Sequence, residues 1–163
     1  MLQVLQGLFD RYDEVQIKNQ NRFFPPTQLK EFIDRFRLHI DFKVSVIGNS
    51  EFGNEIYKVS VGSGPIKIMA WSQMHGNEAT GTLALLEFLE LISIEKLEDV
   101  WSELSFVCVF MVNPDGASKF KRRNGYNIDI NRDAQAGKAL ATHFPHAGSA
   151  DINELSDEIS HSS

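Results

Sequence analysis

The most informative segment of this chain reads Met74-His75-Gly76-Asn77-Glu78-Ala79-Thr80-Gly81 and directly follows an apolar run. Its histidine and glutamate, His75 and Glu78, lie where a predicted buried strand gives way to a predicted helix. Ligands of open α/β sheets bind beyond the carboxyl ends of the strands, and Gly76 lets the backbone turn sharply there. Imidazole and carboxylate are ordinary zinc ligands. The segment therefore predicts a zinc site at His75 and Glu78.

The spacing His-x-x-Glu also has a simpler interpretation, because the short pattern is common by chance. On that interpretation His75 is a turn histidine, and Glu78 is an acid stabilised by the dipole at a helix N-terminus. The pattern alone leaves both interpretations open, so the choice between them depends on the rest of the chain.

A second segment is rich in basic and amide side chains and reads Arg122-Arg123-Asn124-Gly125-Tyr126-Asn127-Ile128-Asp129-Ile130-Asn131-Arg132. Guanidinium groups bind carboxylates through two parallel hydrogen bonds, which lysine cannot reproduce. An arginine beside a metal can also stabilise the oxyanion that forms when water attacks a carbonyl. The segment thus predicts an anion site, with a solvated basic loop as the simpler alternative.

Hydrophobic periodicity predicts a mixed α/β layered sheet with flanking helices. Strands are expected at residues 42–47, 56–61, 66–71 and 104–112, and helices at 27–37 and 79–94. The run 66–71 is more continuously apolar than the two strands before it and is predicted to be central in the sheet. Strands that alternate with a helix are typical of layered α/β folds.

The bulk properties exclude several classes of partner. The chain has 163 residues, the size of a single domain, and its net charge of -6 argues against a nucleic acid or an anionic membrane. Neither a secretory signal nor a transmembrane stretch is recognisable, so a cytoplasmic protein is expected. Cys108 is the only cysteine, which excludes an intrachain disulfide, and its apolar neighbours predict burial.

Four short motifs, in this order and spacing, resemble the zinc carboxypeptidase family, the carboxypeptidase A-like metallopeptidases. The matching text is His75-Gly76-Asn77-Glu78, Asn113-Pro114-Asp115-Gly116, Arg122-x-Asn124 and Asp129-Ile130-Asn131-Arg132. Each motif is weak alone, but four together make a specific signal over roughly residues 25–136. The resemblance implies the N-terminal part of a zinc carboxypeptidase-like fold.

The resemblance also implies a role for each matching position. His75 and Glu78 would be two of three zinc ligands. Arg122 would polarise the scissile carbonyl and stabilise its oxyanion, and Arg123 is the less favoured candidate for that role. Asn131 and Arg132 would bind the free C-terminal carboxylate of a peptide, while Asp129 supports the Asn-Arg segment. The implied reaction is hydrolysis of a C-terminal peptide bond by zinc-bound water.

The chain departs from the family pattern after the Asn-Arg motif. The third zinc ligand, a histidine, and the glutamate general base would lie further along, and the chain ends at Ser163. We therefore expect an N-terminal helical extension at 1–24, the N-terminal portion of a catalytic domain at 25–136, and an atypical disordered tail at 137–163. Such a truncated chain is expected to be weakly active or inactive, and an exposed sheet edge predicts self-association.

Two alternative functions remain open at this stage. A zinc-dependent deacylase of the aspartoacylase and succinylglutamate desuccinylase type has similar His-Gly-Asn-Glu and Asn-Arg motifs and would cleave an amide on a small acidic amino acid. The Asn-Pro-Asp-Gly motif favours the peptidase. A catalytically dead module could instead bind peptide C-termini through Arg122, Asn131 and Arg132.

Overall fold

The computed structural model describes residues 2–17, 22–94 and 97–135. The predicted tail at 137–163 lies outside these ranges. Within them, a four-stranded sheet carries helices around it, and the predicted mixed α/β fold is confirmed. No helix in these ranges is long and apolar enough to cross a membrane.

The sheet combines antiparallel and parallel pairing. Its strands are β1 (Lys43–Asn49), β2 (Glu55–Gly62), β3 (Ile66–Trp71) and β4 (Leu104–Phe110). Their order is β1-β2-β4-β3, in which β1 pairs with β2 and β2 with β4 in antiparallel fashion, while β3 and β4 are parallel. Parallel strands end at the same edge of a sheet, so the loops that follow β3 and β4 meet there.

Seven helices occur in the described ranges. They are α1 (Leu2–Asp10), α2 (Tyr12–Val15), α3 (Pro26–Phe36), α4 (Thr80–Ser93), α5 (Glu98–Glu103), α6 (Pro114–Ser118) and α7 (Ile130–Gln135). The two longest agree with the predicted helices to within one residue at each end. In α3, Pro26 begins the helix, where its missing N–H costs nothing, and Leu29, Ile33 and Phe36 form its buried stripe.

The hydrophobic core lies between the sheet and its helices. It contains Val59, Leu86, Leu89, Cys108 and Phe110, which are all fully buried. The helical stripe of α4 and the inward residues of β2 and β4 supply most of this apolar surface, as the periodicity of the sequence predicts.

Strand β3 departs from its predicted position. It forms one end of the described four-stranded sheet rather than its centre, and the side chains of Ile66, Ile68 and Trp71 are 55%, 43% and 56% exposed. An apolar run indicates a strand that can be buried on both faces, but it does not fix which neighbours the strand has. The central strands of the described sheet are β2 and β4.

Cys108 provides a probe of the native core. Its side chain is fully buried, and burial raises the pKa of the thiol well above its ordinary value. Because only the exposed thiolate reacts, we predict that Ellman's reagent labels the native chain at least about 100-fold more slowly than the chain in denaturant. Labelling of the native chain at the rate of the denatured chain would contradict the described core.

Candidate active site

Two loops meet at the carboxyl ends of β3 and β4. The backbone ladder between these strands continues past them, with Val112 N–H donating to Ser72 C=O at 3.0 Å and Asn113 N–H donating to Gln73 C=O at 3.1 Å. The loop that carries His75 therefore runs beside the segment that leads into α6. This is the edge where ligands of open α/β sheets bind.

A close approach between two glycines joins the loops. A Cβ atom on Gly76 would lie 2.1 Å from the carbonyl carbon of Gly116, and a Cβ on Gly116 would lie 2.7 Å from Arg123 C=O. Neither position has room for a side chain. The Gly76 N–H also donates to Arg122 C=O at 3.3 Å, which brings a third segment to the same place.

Asn113 ties these three segments together with one buried amide. Its Oδ1 accepts from Gly116 N–H at 2.8 Å and so caps α6, while its Nδ2 donates to Met74 C=O at 3.2 Å and Arg122 C=O at 3.1 Å. The residue is 1% exposed. Buried polar groups require partners, so each of these bonds constrains the loops.

Asp115 fixes the turn between β1 and β2 to the same region. Its carboxylate accepts from Ser50 Oγ at 2.6 Å, Asn54 Nδ2 at 2.8 Å and the Phe52 N–H at 3.2 Å. The sequence analysis treats Asn113-Pro114-Asp115-Gly116 only as a family motif and does not identify this buried carboxylate. The available signal is that Asp115 comes shortly after the largely apolar predicted strand at 104–112, where a polar side chain must find partners inside.

Four charged or ionisable side chains form a closed cluster above these loops. His75 Nδ1 lies 3.0 Å from Glu78 Oε2, and Arg122 Nη1 lies 3.1 Å from Glu78 Oε1. Arg122 Nε donates to Asp129 Oδ2 at 3.0 Å, and His75 Nε2 lies 3.3 Å from Asp129 Oδ1. The last pair is within ion-pair distance but lacks the alignment of a hydrogen bond.

Asp129 is the anchor of this cluster. Its side chain is 11% exposed, and the hydrogen bond from Arg122 holds its pKa below the ordinary value, with a smaller contribution from His75. Sequence reasoning expected Asp129 to support the Asn-Arg segment, and Arg132 Nε does lie 3.8 Å from its Oδ2. Its contacts with His75 and Arg122 are missed by the sequence analysis, because His75 is distant in sequence and Arg122 lies in a different motif.

The two adjacent arginines have different surroundings. Arg122 belongs to the cluster, whereas Arg123 Nη1 donates to Asn127 C=O at 2.9 Å. Arg132 extends into solvent with its side chain 82% exposed. A cavity of about 820 Å³ lies beside His75 and Glu78, and Asn131 lines it. The residues predicted for metal and anion binding are thus neighbours at one edge of the sheet.

The donor set at this edge fits part of a zinc site. An imidazole nitrogen and a carboxylate oxygen converge at His75 Nδ1 and Glu78 Oε2, and a carboxylate faces the other ring nitrogen, as is usual for metal-binding histidines. His75 Nε2 and Asp129 Oδ1 are buried without hydrogen-bond partners in the described chain. In residues 2–17, 22–94 and 97–135, no group of three histidine, cysteine or acidic side chains converges on one point.

Comparison with protein families decides the assignment. A family model described as zinc carboxypeptidase matches residues 29–162. The chain belongs to the zinc carboxypeptidase family. No curated protein matches the sequence significantly.

Solved members of the zinc carboxypeptidase fold are similar in structure. A metallo-carboxypeptidase from Burkholderia cenocepacia has a TM-score of 0.63 at 16% identity, covering 80% of this chain and 37% of its own. A metallo-carboxypeptidase from Pseudomonas aeruginosa, in complex with (2-guanidinoethylmercapto)succinic acid, has a TM-score of 0.62 at 18% identity, with 89% and 41% covered.

The carboxypeptidase A from Helicoverpa armigera has a TM-score of 0.51 at 19% identity, and the alignment covers 79% of this chain and 41% of that one. The chain therefore spans about two fifths of the length of these solved zinc carboxypeptidase-like structures. At such identities the likeness concerns the fold.

Substitution of Asn113 tests the joint between the loops. Asn113→Ala leaves the buried Gly116 N–H and the part-buried Met74 C=O without their partner and leaves Arg122 C=O with only the Gly76 N–H, so we predict a loss of about 2–4 kcal/mol in the free energy of unfolding by urea. Asn49→Ala removes one exposed hydrogen bond to Gly53 C=O and serves as the matched control, expected within about 0.5 kcal/mol of wild type. Equal effects of the two substitutions would contradict the role of Asn113.

Proposed function

We propose that this chain carries part of the active site of a zinc metallocarboxypeptidase, which hydrolyses C-terminal peptide bonds. The observation that carries the proposal is the convergence of His75 Nδ1 and Glu78 Oε2, 3.0 Å apart, beside Arg122 and a cavity at the carboxyl end of a parallel strand pair. Membership of the zinc carboxypeptidase family supports the assignment of zinc to this pair.

In this proposal His75 and Glu78 hold the zinc ion. Bound zinc supplies a Lewis acid and lowers the pKa of a coordinated water to about 7. Asp129 Oδ1 faces the far side of the His75 ring, 3.3 Å from Nε2, where a carboxylate favours the tautomer that carries its proton on that nitrogen.

Arg122 is proposed to stabilise the oxyanion on the substrate carbonyl. Its Nε is anchored by Asp129 and its Nη1 by Glu78, while Nη2 donates to no acceptor within the described chain. A guanidinium held on two sides, with one amino group still available, is a preorganised donor for developing negative charge. Arg123 has no such anchoring, which favours Arg122 for this role.

Asn131 and Arg132 are proposed to bind the substrate's free carboxylate. Arg132, beside the cluster, has its side chain 82% exposed and Asn131 lines the adjacent cavity, so both are available to a peptide end. A guanidinium and an amide together satisfy a carboxylate better than either alone. The substrate class is therefore a peptide, or a small amide, with a free C-terminal carboxylate.

The 163-residue chain by itself is proposed to be weakly active or inactive. Two donors hold zinc less tightly than the three protein ligands usual in catalytic zinc sites.

Zinc binding tests the assignment of His75 and Glu78. We predict that His75→Ala weakens zinc binding by at least about 100-fold, because loss of a direct donor costs more than the 10–100-fold typical of an outer partner. His39→Ala is the matched control, since its ring contacts the C=O of Ser93 at the C-terminal end of α4, whereas His75 precedes the N-terminal end, and the substitution should leave zinc affinity unchanged. Competition against a fluorescent chelator measures both. Equal losses in the two variants would refute the assignment.

Peptide binding tests Arg132. We predict that Arg132→Ala weakens binding of benzoyl-Gly-Phe by roughly 10-fold or more, since hydrogen bonds to charged groups contribute about 1.5–3 kcal/mol. Arg123→Ala should leave binding unchanged. Fluorescence of Trp71, which lines the cavity, is the readout, in a Trp101→Phe background.

Three probes separate the competing functions in that assay. The C-terminal amide of the same peptide should bind no better to wild type than to Arg132→Ala. Tighter binding of N-acetylaspartate than of the peptide would favour the deacylase. Peptide binding that is unaffected by a chelator would favour a module that recognises C-termini without zinc.

We also propose that β3 mediates self-association of this chain. Its apolar side chains are exposed at one end of the described sheet, whereas β1 at the other end carries a register irregularity between Val46 and Gly48 that disfavours edge pairing.

We predict that Ile68→Lys shifts the chain from oligomer to monomer in size-exclusion chromatography with light scattering. Val46→Lys on β1 is the matched control and should have no effect. An unchanged mass for Ile68→Lys would contradict the proposal.

A further inference from the structure

A buried polar network lies beneath the loop that carries His75. Ser72, Gln73 and Thr82 are 4%, 5% and 0% exposed, in a region where apolar side chains are the norm. Thr82 Oγ1 on α4 donates to Gln73 Oε1 at 2.8 Å and lies 2.8 Å from Ser72 Oγ, which accepts from the Met111 N–H at 3.3 Å. Every member of the network is thus hydrogen-bonded, and it links α4 to the ends of β3 and β4.

Gln73 connects this network to the loop. Its Nε2 donates to Gly76 C=O at 2.8 Å and approaches Phe24 C=O at 3.4 Å. The backbone of Gln73 has a φ of +52°, in the left-handed region that residues with a Cβ rarely adopt. Such a conformation persists where surrounding contacts over-determine it, and the side-chain bonds to Gly76 and Thr82 provide those contacts.

Gly76 is consequently held from two sides. Its C=O accepts from the Gln73 side chain on the core side, and its N–H donates to Arg122 C=O on the other. The backbone that presents His75 and Glu78 is fixed between these two bonds, and Glu78 N–H closes the turn on His75 C=O at 3.0 Å. Side chains that extend from a fixed backbone need less ordering when they bind a ligand.

We infer that Gln73 is a positioning residue for the His75–Glu78 pair and that Thr82 locks its side chain in place. The expected effect on zinc affinity rests on the proposed function, whereas the positioning of the loop backbone does not depend on zinc. Outer partners that orient metal ligands typically contribute about 10–100-fold to metal affinity. Gln73 acts one step further away, through the Gly76 carbonyl, so an effect at the lower end of that range is expected.

The test compares variants of Thr82, which is hydrogen-bonded to Gln73 and Ser72 but to neither Gly76 nor the metal pair. Thr82→Val removes the hydroxyl that orients Gln73 at nearly constant shape, and Thr82→Ser restores it. We expect zinc affinity to fall about 10-fold in Thr82→Val and to recover to within about 2-fold of wild type in Thr82→Ser. Leu86→Ala, in the core face of the same helix, should lower thermal stability but leave zinc affinity unchanged.

A zinc-free measurement keeps this inference separate from the proposed function. In the apo chain, hydrogen exchange of the Gly76 amide, relative to the amides of β4, should be faster in Thr82→Val than in wild type, Thr82→Ser or Leu86→Ala. If wild type binds zinc no better than His75→Ala does, the proposed function fails and this comparison alone decides the positioning role. Equal relative exchange of the Gly76 amide in all four proteins would overturn the positioning role. A fall in zinc affinity in Leu86→Ala as large as that in Thr82→Val would also overturn it.

Discussion

The packing of Gly76 against Gly116, fastened by the amide of Asn113, is the contact on which the site depends. It brings the loop after β3 against the loop after β4, and the Asn113 amide also binds the backbone carbonyl of Arg122. Once these three backbone segments are fixed, the side chains of His75, Glu78 and Arg122 are long enough to contact one another. A larger residue at either glycine would separate the loops and disperse the cluster.

Arg122 bridges the two carboxylates of this site, in a chain that carries a net charge of -6. Glu78 is shared between His75 and Arg122, and Asp129 is shared between the same two residues from the other side. Arg122 therefore has two acceptors, so the loss of Glu78 to a metal would leave the guanidinium anchored by Asp129. A ring of this kind can accept a cation without releasing the arginine from its position.

The sequence predicts the local elements well because their signals are local. The stripe of Leu29, Ile33 and Phe36 predicts a helix, and the strand-to-helix transition places His75 and Glu78 at a sheet edge, where the structure has them. The position of β3 was predicted incorrectly, because an apolar run records how much surface a strand can bury and not which strand lies beside it.

The features of the site that could not be predicted from the sequence are side-chain contacts between different segments. The sequence favours Arg122 over Arg123 only through the resemblance of Arg122-x-Asn124 to a family motif, whereas the hydrogen bond to Asp129 gives the physical difference between them. The buried partners of Asp115 and Gln73 come from β1–β2 and α4, and no short motif records them. Polar residues that come soon after apolar strands are a sequence feature that predicts such buried hydrogen bonds, since each must find partners inside the fold.

The most direct test of the account is a nuclear Overhauser measurement between the Gly76 Hα protons and the backbone amide of Ala117. A Cβ on Gly76 would lie 2.2 Å from the Ala117 nitrogen, so these protons are close in space although their residues are far apart in sequence. The account predicts a strong cross-peak in the folded, zinc-free chain. A folded sample with assigned resonances and no such cross-peak would contradict it.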